Sequence, residues 1–502
     1  MLRKVPHVVW AVPLAWLLYF FRLDAAGMLG PDEPRYAAIG REMARSGDWI
    51  TPRLWGLPWF EKPALLYWMT GLASRLGLGP DLAPRVPVAI AAVAFLAFFW
   101  WFLKREFGAR AAWFATLILA TSFEWIGFSQ VGVTDLPMAA AFSASVLLVL
   151  PWLVNGEQRS LPWAGAAMGV AVLAKGLVPL ALAVPLVWPA WRRRDRLASA
   201  LVRAGAPFLA IATPWYILCY LKNGPTFFMQ FFWVHHVQRV TSDALQHVQP
   251  WWFYAPVFVG ALLPWSPLLV LAAKRPALPD PRRRFLALIV IWGLIVFSIA
   301  VNKLPGYVLP LLPVTAVLVG LALDEAIHGA ALLSVCGLQV AWFTIAGPVL
   351  PAAVTMGLSR VPAPRFSWTW LAPVLLSAVV WVLDRHGRRL AAVAVVAASV
   401  TAGMVYLKLA VAPDLDRLAS ARQLSLQVAA RAGQVCLENV QRAWEYGLDY
   451  YAAARLPACE SAPLPWHVVQ EPGRPPRLQS VPPAPTQVDL PVHRIVISRF
   501  RD

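Results

Sequence analysis

The sequence predicts an all-α membrane protein of about thirteen spans, with a small α/β domain at its C-terminal end. Three observations predict it. Of the 502 residues, 59% are apolar and only 14% are charged, whereas a soluble domain runs nearer ~25% charged. The formal net charge is nonetheless +18. In so apolar a chain this reads as cationic cytoplasmic loops rather than a nucleic-acid surface. Third, residues 413–502 hold 10 basic and 9 acidic residues. Nearly all of the excess charge therefore belongs to residues 1–412, and the tail is a different kind of segment.

The spans are expected near 8–22, 84–103, 110–127, 135–153, 161–175, 176–191, 202–221, 251–272, 285–301, 306–323, 329–350, 368–384 and 389–410. The first follows Arg3 and Lys4. With no clean small-residue cleavage site after it, it reads as a retained anchor rather than a signal peptide. With the N-terminus inside, the loops of one parity carry Lys104-Arg105 with Arg110, Arg159, Arg192-Arg193-Arg194 with Arg196, Lys274-Arg275 with Arg282-Arg283-Arg284, and Arg385 with Arg388-Arg389. This is the positive-inside pattern; these cations orient the chain against lipid headgroups.

The opposite face receives a long loop at 22–84, a second at 222–250, and the tail. The first loop reads Gly30-Pro31-Asp32-Glu33-Pro34-Arg35-Tyr36, then Ser46-Gly47-Asp48-Trp49, Thr51-Pro52-Arg53-Leu54 and Phe60-Glu61-Lys62-Pro63. Pro31 and Pro34 bracket two acids and restrict the backbone. Ala37–Arg45 and Ala64–Leu78 have the composition of helices lying on the membrane surface. The loop also holds Arg41, Arg45 and Arg75. Such cations on the outer side need an explanation other than orientation.

Further ionisable residues fall at outer ends of spans. They are Asp135 after Gly132-Val133-Thr134, Lys175 between the fifth and sixth spans, His235, His236, Arg239 and His247 in the second loop, and Lys303 and Tyr307 before the tenth span. Each has a bland reading: Asp32, Glu33 or Asp135 as a helix cap, Lys175 snorkelling to the interface, Arg53 pairing with a nearby acid. Together they place acids and cations on one membrane face, where ionisable groups are expensive and point to function. A carboxylate there can accept a proton from a hydroxyl, and fixed cations can hold a phosphate as it leaves. The inferred chemistry is group transfer from a lipid phosphate on the outer face. No glycine-rich nucleotide loop is evident.

The first-loop runs resemble those of the aminoarabinose lipid A transferases. These sit with the dolichyl-phosphate-mannose protein mannosyltransferase-like enzymes in the GT-C glycosyltransferase superfamily. The resemblance continues through Thr134-Asp135, Lys175-Gly176, Phe231-Phe232-Trp233 to Arg239, and Lys303-Leu304-Pro305-Gly306-Tyr307. It covers most of residues 1–325. It implies the GT-C fold and an inverting transferase that uses a polyprenyl-phosphate-linked sugar. The implied acceptor is a lipid A-like glycolipid or another envelope glycan, and the implied setting is a bacterial inner membrane with the active site and tail facing the periplasm. By the resemblance Asp32 is the catalytic carboxylate, with Glu33 and Asp135 as further acids. Lys62 and Arg239, with Lys175 as a third cation, meet the donor phosphate. Arg35, Tyr307 and Lys303 line the cavity. A Zn²⁺ held by Glu61 and His236, with His247 or water completing the set, is an alternative use of those residues.

The predicted division is 1–412 for the transmembrane catalytic part and 413–502 for the tail. In the tail, 413–433 reads as helical, Val435–Val440 as a strand, Arg442–Ala454 as a helix, Trp466–Val469 and His493–Ser498 as strands, and 472–485 as a Pro-rich loop. Cys436 and Cys459 bracket a strand and a helix; in an oxidising compartment they are expected to pair, the alternative being two free thiols. Two other functions compete: a protein O-mannosyltransferase-like enzyme, and a lipid-linked sugar transporter or flippase. A transporter would place its polar residues near the midplane of repeated halves, and neither feature is seen.

Overall fold

The computed structural model describes residues 8–238, 248–274, 280–326, 329–356, 361 and 367–481. In the first loop, α1 (Asp32–Ser46) starts earlier than the predicted Ala37. Asp32 and Glu33 face the positive helix terminus, and Pro34 lies in the first turn, where its missing N–H is not needed. Gly47 ends α1 at φ 74°, donating its N–H to the Met43 carbonyl. A short hairpin follows, β1 (Arg53–Leu54) pairing antiparallel with β2 (Leu57–Pro58). Then comes α2 (Leu65–Arg75). The two helices approach closely at Gly40 and Gly71. A Cβ on Gly40 would lie 2.7 Å from the Thr70 Cβ, and one on Gly71 would lie 2.8 Å from the Gly40 carbonyl oxygen.

Among the described residues, seven helices are long and apolar enough to cross a membrane, or nine if two bent pairs each form one span. Length and composition thus establish fewer spans than the thirteen expected. Two predicted spans form shorter apolar helices, Ala11–Phe20 and Leu161–Lys175. The predicted 176–191 span is broken into Val178–Leu182, Val184–Leu186 and Val187–Arg192. Pro179 and Pro185 interrupt its hydrogen-bond ladder.

The predicted 110–127 span bends by 61° between α3 (Ala109–Ala120) and α4 (Phe123–Ser129). At the break, the Thr121 and Ser122 hydroxyls donate back to the Leu117 and Ile118 carbonyls, an interaction that bends helices. The predicted 251–272 span bends by 113° between Tyr254–Ala261 and Ser266–Lys274. The two breaks touch: Trp265 Nε1 donates to Thr121 Oγ1 at 2.9 Å, and the Phe123 N–H donates to the Leu263 carbonyl at 2.9 Å. Next to this junction, α5 (Asp135–Leu148) and α6 (Leu161–Lys175) pack side by side.

In the tail, β3 (Val435–Glu438), α7 (Arg442–Ala452) and β4 (Trp466–Val469) fall close to expectation. The Pro-rich stretch does not form only a loop. Within it, β5 (Arg477–Ser480) pairs antiparallel with β4, completing a sheet ordered β3-β4-β5 in which β3 and β4 are parallel. Flanking prolines are compatible with an edge strand. The predicted strand His493–Ser498 lies outside the described residues. Val428, Val435, Trp444, Leu448 and Val468 form a core of the tail's own. Cys436 and Cys459 are joined by a disulfide, their Cα atoms 4.9 Å apart.

The tail is fastened to the first loop. The Tyr451 hydroxyl donates to Asp81 and accepts from the Met28 N–H, and the Tyr450 hydroxyl donates to the Pro80 carbonyl. Arg422 reaches both Asp81 at 3.1 Å and Asp416 at 3.0 Å. Arg41 stacks over the Tyr450 ring at 4.3 Å.

Candidate active site

The start of α1 and the segment before α2 converge on a chain of four charges. Arg35 Nη2 lies 2.6 Å from Asp32 Oδ1 and 2.9 Å from Glu61 Oε2, and Lys62 Nζ lies 3.5 Å from Glu61 Oε1. Arg35 is one helical turn after Asp32, which puts both on one face. Its guanidinium is buried within 5.3 Å of the Tyr36 and Trp59 ring centroids and 5.6 Å of the Tyr446 centroid from α7. Burial works against the Arg35 cation, but Glu61, Tyr36 and Asp32 outweigh it, and its pKa is raised. Arg35 is therefore a fixed charge that orients two carboxylates. The Asp32 side chain remains 50% exposed, so it alone of the two is open to an incoming hydroxyl.

Glu33 departs from expectation. It is 1% exposed and faces away from Asp32 into the protein. Its Oε1 accepts from Arg85 Nε at 2.7 Å and the Gly132 N–H at 2.8 Å. Its Oε2 accepts from Arg85 Nη2 at 2.8 Å and the Leu29 N–H at 3.0 Å. Arg85 also donates to the carbonyls of Leu23, Ala26 and Gly27. A carboxylate so enclosed has no room for a substrate. Glu33 is a strut that ties α1 to the Gly132-Val133-Thr134 turn ahead of Asp135.

A second cluster forms where α5 begins and α6 ends. Lys175 Nζ donates to Asp135 Oδ1 at 2.5 Å and lies 5.0 Å from the centroid of the Tyr307 ring. Lys303 was expected in the cavity with Tyr307. Instead its buried ammonium donates to the carbonyls of Gln249 at 3.0 Å and Ala300 at 2.6 Å. It staples the Gln249 segment to the end of the helix at Ala300. Arg239 and His247, and the side chain of His236, lie outside the described residues.

The metal alternative finds Glu61 already between two cations, Arg35 and Lys62. Among the described residues, the group with metal-ligand spacing is Cys436, Cys459 and His467, whose two sulfurs are joined in the disulfide.

Arg41, Arg53 and Arg75 of the first loop serve as ties. Arg53 approaches Asp48 at 3.8 Å, and Asp48 also meets Lys222 at 2.9 Å. Burial raises the Asp48 pKa, but Lys222 and the Thr51 and Ile50 N–H groups outweigh it, so it ends lowered. Arg75 donates to the Ala44 carbonyl. The sequence reading missed Glu124, in α4. It is 7% exposed, and neither carboxylate oxygen meets a hydrogen-bond partner among the described residues. The available signal was a lone acid inside the apolar 110–127 run.

The pattern of the dolichyl-phosphate-mannose-protein mannosyltransferase family matches residues 61–218. An undecaprenyl phosphate-alpha-4-amino-4-deoxy-L-arabinose arabinosyl transferase of Pseudomonas aeruginosa (strain UCBPP-PA14) is 31% identical over 490 residues, covering 86% of this chain and 85% of that one. A similarly named relative, arabinosyl transferase 2 of Pseudomonas fluorescens (strain Pf-5), is 32% identical over 338 residues. That match covers 64% of this chain and 57% of the relative, so this chain spans little more than half of that relative's length. Among solved structures, ArnT from Cupriavidus metallidurans bound to undecaprenyl phosphate superposes with a TM-score of 0.76 at 26% identity, covering 93% of this chain and 97% of that one.

Proposed function

The chain belongs to the family of the undecaprenyl phosphate-alpha-4-amino-4-deoxy-L-arabinose arabinosyl transferases, and from that premise we propose that it moves an amino-arabinose from undecaprenyl phosphate to a hydroxyl or phosphate oxygen of a lipid A-like acceptor. The observation that carries this reading is the Asp32–Arg35–Glu61–Lys62 chain of charges. It sets an accessible carboxylate beside a buried cation and a lysine, with aromatic rings around them.

In this reading Asp32 accepts the proton of the acceptor oxygen. That oxygen attacks the anomeric carbon from the side opposite the phosphate, so the new C–O bond forms as the bond to the phosphate oxygen breaks, and the configuration inverts. Lys62, with Lys175 and Arg239, takes up the charge of the leaving undecaprenyl phosphate. Arg35 holds Asp32 in place. Asp135 positions Lys175.

The site faces the periplasm in this reading, supported by the cationic loops at the opposite ends of the spans. The division into a transfer part, 1–412, and a tail, 413–502, is supported by the tail's separate apolar core. A protein hydroxyl as acceptor is the second reading, favoured by the mannosyltransferase pattern over 61–218.

The test is transfer by the purified protein in detergent, with undecaprenyl-phosphate amino-arabinose as donor and either lipid A or a Ser/Thr-rich peptide as acceptor. Mass spectrometry should find one added amino-pentose on lipid A, and NMR an inverted linkage. Modification of the peptide alone would favour the second reading. Transfer to neither would overturn both.

A further inference from the structure

Helix α7 of the tail serves two cores at once. Trp444 and Leu448, one helical turn apart, belong to the tail's own core. Tyr446 and Tyr450, also one turn apart, share a different face. Tyr450 is part of the large core of the membrane unit, and Tyr446 packs against that core. Both tyrosines meet guanidinium groups of α1. The Tyr450 ring centroid lies 4.3 Å from Arg41, whose Nη2 also donates to the Tyr450 carbonyl at 2.8 Å. The Tyr446 centroid lies 5.6 Å from Arg35. Tyr450 and Tyr451 are tied in addition to Pro80, Asp81 and Met28. The docking of α7 on the first loop therefore has anchors of its own, apart from the Tyr446 ring.

Arg35 is the residue that uses that ring. Both carboxylates of the site, Asp32 at 2.6 Å and Glu61 at 2.9 Å, are reached from one nitrogen, Nη2. The Arg35 Nε is buried and has no hydrogen-bond partner among the described residues. Ion pairs made through a single nitrogen leave a guanidinium able to pivot about it. The surrounding rings limit the pivot: Tyr36 from α1, Trp59 from the segment before α2, and Tyr446 from α7. A guanidinium is attracted to aromatic faces and packs flat against them. Two of these rings come from the first loop, and the third comes from the tail.

We propose that the tail is a working part of the transfer site: Tyr446 is a positioning residue that holds the Arg35 guanidinium, and through it Asp32 and Glu61, in register for transfer. This rests on the reading of Asp32 as the base. It also gives a reason for the many ties between the tail and the first loop, since a loosely held α7 could not fix a ring against Arg35.

The experiment reads kcat, donor KM and thermal midpoint for the full-length protein in detergent, with undecaprenyl-phosphate amino-arabinose as donor and lipid A as acceptor. Tyr446→Leu removes the ring but keeps an apolar side chain, and Tyr446→Phe keeps the ring. Tyr451→Phe cuts the ties to Asp81 and Met28 and controls for tail docking. Tyr446→Leu should lower kcat by ~10-fold or more, because a small misplacement of reacting groups is costly. Its donor KM should move less than about threefold, the pattern of an interaction that matters in the transition state. Tyr446→Phe should keep kcat within about twofold of the wild type, because the ring face remains. Tyr451→Phe should lower the midpoint more than kcat. Tyr446→Leu added to Asp32→Asn should cost little further, because a residue that acts through Asp32 has nothing left to position.

Wild-type kcat in Tyr446→Leu would overturn the assignment. So would an equal loss in Tyr446→Phe, which would put the role in the hydroxyl, or an equal loss in Tyr451→Phe, which would put it in docking. A fall in midpoint large enough to account for the lost kcat would make the ring a packing residue only. Independent, multiplying losses from Tyr446→Leu and Asp32→Asn would likewise show that Tyr446 does not act through Asp32. If Asp32→Asn turned over like the wild type while Tyr446→Leu did not, the tail would keep its place in the site and only the base would be reassigned.

Discussion

Arg85 and Glu33 form a buried, two-pronged ion pair at 2.7 and 2.8 Å, across 52 residues of sequence. Every remaining acceptor and donor direction of the pair is filled from the Leu23–Leu29 stretch and from Gly132. Removing one member of such a pair strands the other's charge, which typically costs about 3–5 kcal/mol. Glu33→Ala should therefore lower the thermal midpoint and the yield of folded protein. If the variant kept the wild-type midpoint and lost only turnover, Glu33 would belong to the chemistry instead.

Asp32 should behave in the opposite way. It is half exposed and, among the described residues, its ion-pair partner is Arg35. Asp32→Asn preserves its shape but removes the base, so transfer should fall by ~10²-fold or more with little change in thermal midpoint. Turnover near the wild-type level would remove Asp32 from the mechanism.

The contrast between these neighbours shows what the sequence could and could not disclose. Asp32 and Glu33 are adjacent, which invites one role for both. On a helix, adjacent residues do not share a face, and once α1 begins at Asp32 the two acids separate into site and strut. Arg35, Glu61 and Lys62 are legible because charged residues crowd into the first loop. Arg85 is not, because its partner is chosen by packing across the fold. Lys303 lies in a readable motif, yet its role is decided by carbonyls of Gln249 and Ala300 that no local pattern announces. Strand Arg477–Ser480 was hidden by its flanking prolines, which an edge strand tolerates.

Lys62 lies at the end of the charge chain, 3.5 Å from Glu61. If it receives the donor phosphate, Lys62→Ala should weaken donor binding by roughly 1–3 kcal/mol, the size of one charge-assisted hydrogen bond. Isothermal titration with undecaprenyl phosphate alone would measure this. Unchanged affinity would move the phosphate elsewhere in the site.

The disulfide closes a loop with a sequence separation of 23. On the chain-entropy account, this constrains the unfolded tail by roughly 3 kcal/mol, a large share of what a small core supplies. Cys436→Ser should lower tail stability or expression more than intrinsic turnover. Alkylation of both thiols in the intact, non-reduced protein would show the bond to be absent and would also put the external placement of the tail in question.

Asp449 gives the tail a pH dependence whose sign can be worked out. It is buried in α7, and its Oδ1 accepts the Leu456 N–H at 2.9 Å. Burial raises its pKa, the Leu456 bond lowers it, Glu445 raises it and Arg455 lowers it, and the result is pushed up from 3.8 to about 7. Below the unfolded value both states hold the proton, and the folded tail has its full stability. Between there and about 7 the unfolded chain has released the proton while the fold retains it, so stability falls as pH rises. Above the folded value both states are ionised, and the loss levels off at up to ~4 kcal/mol, from ~1.36 kcal/mol per pKa unit. Asparagine imitates the protonated acid, and its carbonyl oxygen can still accept the Leu456 N–H. Asp449→Asn should match the wild type near pH 4, exceed it at pH 8, and flatten the slope between. The tail's unfolding, followed by the near-ultraviolet circular dichroism of the full-length protein across that range, measures both curves. Parallel curves for the two proteins would mean that another group sets the dependence.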